Sequence, residues 1–383
     1  MQSYHALALF SGGLDSILAV KTVMAQGLDV LCLHFVSPFF GKPGKIEHWQ
    51  KIYGLDIVPV DVSDAYVAMM TKGPDHGLGR FLNPCVDCKI LMLRRAKELL
   101  PQYGASFIIS GEVLGQRPMS QRLDALNIIS RDSATRGLLL RPLCAKRLPE
   151  TEAETSGLVD REKLLAISGR GRKDQMTLAA QYGLTEIPTP AGGCLLTEEA
   201  SAKRFFPLFI HTSAPTAADF ALANIGRQYW AGNRWLAIGR NQADNARLEA
   251  AVGPDDLVFK VRYLPGPLGV ARKLPGALWD AATVADAAAF VASYNPKAMA
   301  TAGDVQVDVI GFPDSPVKVT PSRTTPLAWS EPAWEEAKEG KRSRFIQHGV
   351  GGRLEEEERK RVREGNPFWK KGSPLALSPP KNF

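Results

Sequence analysis

The stretch Phe10-Ser11-Gly12-Gly13-Leu14-Asp15-Ser16 leaves this chain few folds to choose from. Before it, Ala6 to Phe10 is an apolar run that reads as a buried strand. After it, Ile17 to Ala25 reads as an amphipathic helix stopped at Gly27. Strand, glycine turn and helix make the geometry of a phosphate site. Paired glycines let the backbone approach an anion, and the amides of the first helical turn bind it with the helix dipole behind them. Ser11 and Ser16 add hydroxyl donors. Asp15 would repel a bare phosphate and makes sense if it holds Mg²⁺ or orients the loop.

The sequence around this loop alternates strand and helix. Asp29 to Phe35 and Asp56 to Val62 read as further strands, Ile90 to Leu100 as a helix, and Ala105 to Ser110 as a fourth strand. Such alternation predicts right-handed βαβ units with a parallel sheet, whose ligand lies at the carboxyl ends of the strands. Arg161 to Tyr182 reads as helical with a break at Ser168 to Lys173. The expected fold class is α/β: a Rossmann-like parallel sheet over residues 1–204, then a second small α+β domain over 205–312. In that second unit a hairpin about Gly232-Asn233, a helix from Asp244 to Ala251, a strand from Leu257 to Tyr263 and a helix from Thr283 to Ser293 are expected. Residues 313–383 read as a proline- and charge-rich extension, partly disordered, with a solvated helix at Glu355 to Arg361 and a flexible tail from Lys370 to Phe383.

Composition bounds the partners. A net charge of +7 suits a polyanion such as RNA. No apolar run approaches the length of a membrane span. Met1 to His5 lacks the basic and apolar segments of a secretory leader, so a cytoplasmic protein is expected. Five cysteines, an odd number, argue for reduced thiols over a disulfide framework.

Cys85 and Cys88 form a C-x-x-C just ahead of the expected helix, where the dipole would favour thiolate. Cys194 follows about a hundred residues later in Pro190-Ala191-Gly192-Gly193-Cys194. Three thiols suit a [4Fe–4S] cluster with one open iron better than structural zinc, which usually takes four protein ligands. Alternatively, Cys194 carries a persulfide that Cys88 resolves. Cys32 and Cys144 read as core residues. The polar stretch Gly111 to Gln121 follows a strand, so Gly111 and Gln116 open onto the same edge and are candidate nucleotide contacts.

The SGGLDS loop resembles the PP-loop of the ATP pyrophosphatase superfamily, whose members adenylylate a carbonyl oxygen and let a nucleophile displace AMP. The resemblance implies ATP and Mg²⁺ at Ser11, Gly12, Gly13, Asp15 and Ser16, with the adenine near His34-Phe35. Gly111-Glu112-Val113-Leu114-Gly115-Gln116, followed by Leu140-Arg141-Pro142-Leu143, is similar to the ThiI-type tRNA 4-thiouridine synthases. The cysteine pattern resembles that of iron–sulfur-dependent tRNA thiolases, and Asn83-Pro84-Cys85 resembles the MnmA-type 2-thiouridylases. These likenesses imply tRNA as substrate, sulfide or a cysteine desulfurase as sulfur donor, and Asp15, Cys88 and Cys194 in the chemistry. A homodimer is a further expectation.

In the ThiI type a ferredoxin-like and THUMP portion presents the tRNA. With the PP-loop at residue 11, another element is expected to do so here. Residues 226–275 resemble the NFACT-R module, linked to RNA binding. Arg240, Lys260, Arg262, Arg272 and Lys273, with Trp230 and Tyr263, are the expected phosphate and stacking surface, and Arg170, Arg172 and Lys173 a second. Two other classes stay open: a PP-loop ligase that delivers nitrogen, and a non-catalytic RNA-binding factor that senses nucleotide.

Overall fold

A computed structural model describes residues 3–188 and 193–346. The N-terminal part is built from β1 (Ala6–Leu9), α1 (Leu14–Met24), β2 (Val30–Val36), α2 (Ile46–Tyr53), β3 (Asp56–Asp61), α3 (Ser63–Lys72), α4 (Cys85–Leu99), β4 (Phe107–Ser110), α5 (Leu123–Asp132) and β5 (Leu139–Leu140). The strands form a parallel sheet in the order β3-β2-β1-β4-β5. Each strand alternates its faces. Ala6, Ala8 and Phe10 pack with Ile17, Leu18 and Trp49 on one side, while Leu7 and Leu9 pack with Ile90, Leu93 and Ile129 on the other.

The strand order changes direction at β1, which lies between β2 and β4. The crevice at its carboxyl end is therefore the switch point where α/β sheets bind ligands. The glycine loop follows β1 and the Gly111–Gln121 loop follows β4, so both border this crevice. Because α4 leads into β4, its start lies on the same edge.

After α6 (Glu152–Thr155), α7 (Lys173–Gln181), α8 (Glu199–His211) and α9 (Ala217–Ala223), the chain forms a second sheet. It comprises β6 (Arg227–Ala231), β7 (Arg234–Ile238), α10 (Gln242–Ala250), β8 (Leu257–Val261), β9 (Gly269–Arg272), α11 (Ala281–Ala292), α12 (Pro296–Met299), β10 (Val305–Ile310) and β11 (Val317–Val319), and α13 (Trp334–Ile346) follows. Its order is β11-β10-β8-β9-β7-β6, with each pairing antiparallel. One face packs on α11. The other contributes Trp230, Trp235 and Val270 to an aromatic core shared with Phe39, Tyr66, Phe205 and Phe220.

Three readings change. Helix α4 starts at Cys85, five residues earlier than expected: buried Val86, Ile90, Leu93, Ala96 and Leu99 already keep helical spacing from there. Residues 164–172 are not helical, because their amides are spent on neighbours, Leu165 to Pro142 and Ile167 to Leu143. The chain beyond residue 313 joins the fold: β11 pairs with β10, and α13 packs on α8 with Phe345 against Phe209 and Trp334 against Phe81. The expected helix at Glu355 to Arg361, the tail from Lys370 and residues 189–192 lie outside the described residues.

The two expected motifs GExLGQ and LRPL meet in the core. Arg141 Nε donates to Glu112 Oε2 at 3.0 Å, and the guanidinium also reaches Ser130 Oγ at 3.2 Å. Both side chains are buried. Removing one partner strands a buried charge, so Arg141→Met should destabilise the protein by about 3–5 kcal/mol in urea titration, and adding Glu112→Gln should restore most of that. Burial pushes the Glu112 carboxyl up, but Arg141 and Lys89 outweigh it and hold it below the usual range. A depressed folded value means the pair stabilises above the unfolded pKa, about 4.3, and that stability is lost as pH falls through the folded value. The wild-type Tm should therefore fall more steeply in acid than that of the double variant.

Candidate active site

Gly12 has φ +75° and faces the indole of Trp49, so a Cβ there would lie 2.4 Å from Trp49 Cζ2. Trp49 packs edge-on against Phe10 and His34. Gly111 is as tightly required, since its Cβ would lie 2.6 Å from the Asp15 carbonyl oxygen. The end of β4 is thus seated on the first turn of α1. Ser16 Oγ donates to Gly13 O at 2.7 Å and sits 3.3 Å from Ser11 Oγ. No side chain caps α1, because Gly13 occupies the N-cap. This leaves the start of the helix to an anion.

Asp15 sits half-buried at this turn, and its Oδ1 has no hydrogen-bond partner. Burial raises its pKa, against the pull of Gln116, Arg172, Arg117 and Gln175. Gln116 Oε1 and both polar atoms of the Gln175 carboxamide are likewise buried without partners. Each such group left unmade costs about 1–3 kcal/mol. A cradle of glycines, helix amides and unsatisfied polar atoms fits a nucleotide triphosphate with its Mg²⁺. The imidazole of His34 is buried: Nε2 accepts from the Lys42 amide at 2.8 Å, and Nδ1 therefore carries the proton toward Phe10 O at 3.0 Å. Burial lowers its pKa, keeping it neutral. The Phe35 side chain is buried too. Both are buried side chains near the carboxyl end of β2, which borders the crevice.

The basic run after Ser168 lies beside the nucleotide loop. Leu114 and Ser168 form a parallel bridge, and the Gly169 amide donates to Leu114 O at 2.8 Å. Arg172 is partly buried near Asp15, whereas Arg170 and Lys173 are exposed.

Cys194 reaches the C-x-x-C through backbone pairing. It bridges Phe40, Leu195 N–H donates to Phe39 O at 2.8 Å, and Leu82 N–H donates to Leu196 O at 3.2 Å. Tyr66, fully buried, stands among the three thiols. Burial, then Cys88, Cys194 and Cys85, hold its hydroxyl well above the usual range, and it leans toward Cys88 without a formed hydrogen bond. The expected lowering by the helix start is not what Cys88 experiences: burial pushes its thiol up to about 11. Burial also raises Cys194 strongly. Cys32 and Cys144 lie in the core.

Among the described residues no group of three or more His, Cys, Asp or Glu side chains is set to hold a single metal ion. A [4Fe–4S] cube attaches its thiolates to separate irons and needs a wider spacing than one ion does. The thiols fit it in chemistry and in gathering about Tyr66, with Cys88 and Cys194 packed against the aromatic core. Asn83 ties this pocket to the Gly111–Gln121 loop, its amide donating to Cys85 Sγ at 3.3 Å and to Met119 Sδ at 3.6 Å.

On the second sheet the basic residues divide. Arg240 pairs with Asp244 at 2.6 Å and Arg262 with Asp308 at 2.7 Å. Arg272 is a core residue bound to Asp219 and Asp256, and Trp230 is buried in a stack on Trp235; neither belongs to a surface. Lys260 and Lys273 are exposed, and Tyr263, 89% exposed at φ +62°, lies under the Arg262 guanidinium. Trp49, Tyr66 and Gln175 escaped the sequence reading. Only Gln175 had a signal, three residues after Arg172 in a glycine-flanked basic run.

The family described as Thiamine biosynthesis protein (ThiI) matches residues 2–147, the part that holds the parallel sheet. A probable tRNA sulfurtransferase of Thermococcus kodakarensis is 32% identical over 133 residues, covering 33% of this chain and 34% of that protein. A tRNA sulfurtransferase of Proteus mirabilis is 32% identical over 150 residues, 36% of this chain and 28% of that protein. The chain thus spans about a third of the length of these curated relatives. The U34-tRNA thiolase NcsA of Methanococcus maripaludis, solved with its [4Fe–4S] cluster, aligns over 50% of this chain and 62% of that one at 14% identity and a TM-score of 0.27, a likeness too slight to carry an argument. No described helix is long and apolar enough to cross a membrane.

Proposed function

We propose that this chain is an ATP-dependent tRNA uridine sulfurtransferase of the cytoplasm, with 4-thiouridine the favoured product. The observation that carries this is the contact between two sites: Asn83 joins the Cys85 thiol to Met119 on the loop that also carries Gln116. A nucleotide site alone would suit any PP-loop ligase. A thiol pocket against its wall suits sulfur transfer.

Ser11, Gly12, Gly13, Ser16 and the α1 amides hold the phosphates, and Asp15 holds Mg²⁺. The Gly111 and Gln116 loop closes the other side. A uridine carbonyl oxygen bonds to the α-phosphorus and the bond to pyrophosphate breaks, its charge met by the loop donors. A sulfur nucleophile adds at the activated carbon and AMP leaves. Cys85, Cys88 and Cys194 would hold a [4Fe–4S] cluster, which when bound supplies an open iron for sulfide. Burial keeps the Cys88 and Cys194 thiols protonated, and coordination is a way to deprotonate them. The second reading, persulfide on Cys194 resolved by Cys88 and loaded by a desulfurase, is favoured by the packing of these two thiols against one core. Residues 205–312, with Lys260, Arg262 and Tyr263, are the proposed tRNA-presenting surface, in keeping with the NFACT-R likeness. Arg240 contributes there only if Asp244 releases it.

Iron and sulfide content of anaerobically purified protein tests the choice. About four irons per chain, lost in Cys85→Ser, Cys88→Ser and Cys194→Ser alike, supports the cluster. Full thiolation by an iron-free Cys85→Ser sinks it in favour of the persulfide. Failure of the wild type to release pyrophosphate with any tRNA would overturn the function itself.

A further inference from the structure

Helix α7 starts at the crevice. It packs on α1, and its N-cap residue, Arg172, makes no side-chain cap. Gln175 in its first turn is wholly buried. It is near enough to Asp15 to act on its charge, yet neither carboxamide atom meets a partner at hydrogen-bond geometry. A buried amide with neither bond made is a standing loss that a polar ligand would remove. Asp15 Oδ1 and Gln116 Oε1 are in the same condition. Arg172 and Arg117 both act on Asp15. Two guanidiniums around one carboxylate leave net positive charge facing the loop that receives the anion.

We infer that Arg172 and Gln175 form a second wall of the nucleotide site, facing the PP-loop across the bound triphosphate. Arg172 pairs with a phosphate. The Gln175 N–H would donate to a phosphoryl oxygen, and its carbonyl would accept from a bound water. This rests on the ATP-using reading of the site and withdraws Arg172 from the tRNA surface, leaving Arg170 and Lys173 there.

The test uses the full chain, with Mg·ATP affinity by calorimetry, tRNA affinity by filter binding and Tm without nucleotide. Arg172→Gln should weaken Mg·ATP binding by roughly tenfold or more, as loss of a charge-assisted bond does, and leave tRNA affinity within about twofold. Gln175→Met, nearly equal in volume, should weaken Mg·ATP by about tenfold while raising the Tm of the nucleotide-free protein, because it removes unmet polar atoms. A merely structural glutamine would not combine those signs. Unchanged Mg·ATP affinity in both variants, beside a wild type that binds it, overturns this inference and leaves the proposed function standing. A loss confined to tRNA affinity in Arg172→Gln also overturns it. A wild type that binds no Mg·ATP overturns both.

Discussion

Cys194→Ser should lower thionucleoside formation by roughly a thousandfold or more, the scale expected when a group in the reacting centre is removed. The cluster and the persulfide routes agree on this residue, so the prediction does not depend on choosing between them. Stability should barely change. The segment is held by backbone, through Leu195 to Phe39 and Leu82 to Leu196, and serine keeps both bonds. Pyrophosphate release with tRNA should persist, because the nucleotide loop is built from other residues. Mass spectrometry of digested tRNA, run beside a pyrophosphate assay, separates the two. Near wild-type thionucleoside from Cys194→Ser would remove the residue from the mechanism.

Gly12→Ala should disable the nucleotide step and weaken the fold together. Its Cβ would enter the Trp49 ring, at 2.4 Å, and φ +75° suits glycine. Overpacking and left-handed strain each cost about 1–3 kcal/mol, so a loss of about 2–5 kcal/mol is expected. Displacing the loop amides should cut pyrophosphate release about a hundredfold or more. Trp49→Leu in the same chain should recover part of the stability, by relieving the clash, but not the strain. A double-mutant cycle in urea measures that coupling. Wild-type Tm and KM for ATP in Gly12→Ala would show that Trp49 does not brace the loop.

The parallel sheet and the crevice were legible because they rest on local pattern. Apolar strands spaced by helices, and glycines fixed between β1 and α1, state their geometry within a few residues. The hairpin about Gly232-Asn233 was legible for the same reason. Strands β9, β10 and β11 were not: β9 and β11 are only four and three residues long, and β10 pairs with β8 across the segment that holds α11 and α12. The environment of a charge was least legible. Arg141 and Glu112 read as members of two separate motifs and turn out to be each other's partner. Arg172 reads like Arg170 and Lys173, and only the Leu114–Ser168 bridge turns it toward Asp15. The thiol pKa also misled: the helix start promised thiolate, but the aromatic core around Cys88 dominates.

The backbone pairing that brings Cys194 to the C-x-x-C has a consequence in time. The turn at Phe39 and the bend at Leu82 leave the ribosome long before residues 194–196 exist to pair with them. At about 5–20 residues per second, the roughly one hundred intervening residues delay Cys194 by about 5–20 s. For that interval the nascent chain holds two of its three thiols without the segment that roofs them. Whatever fills the pocket, iron or sulfur, is held by all three thiols only after that segment has emerged, and Cys85 and Cys88 are most open to oxidation before it does.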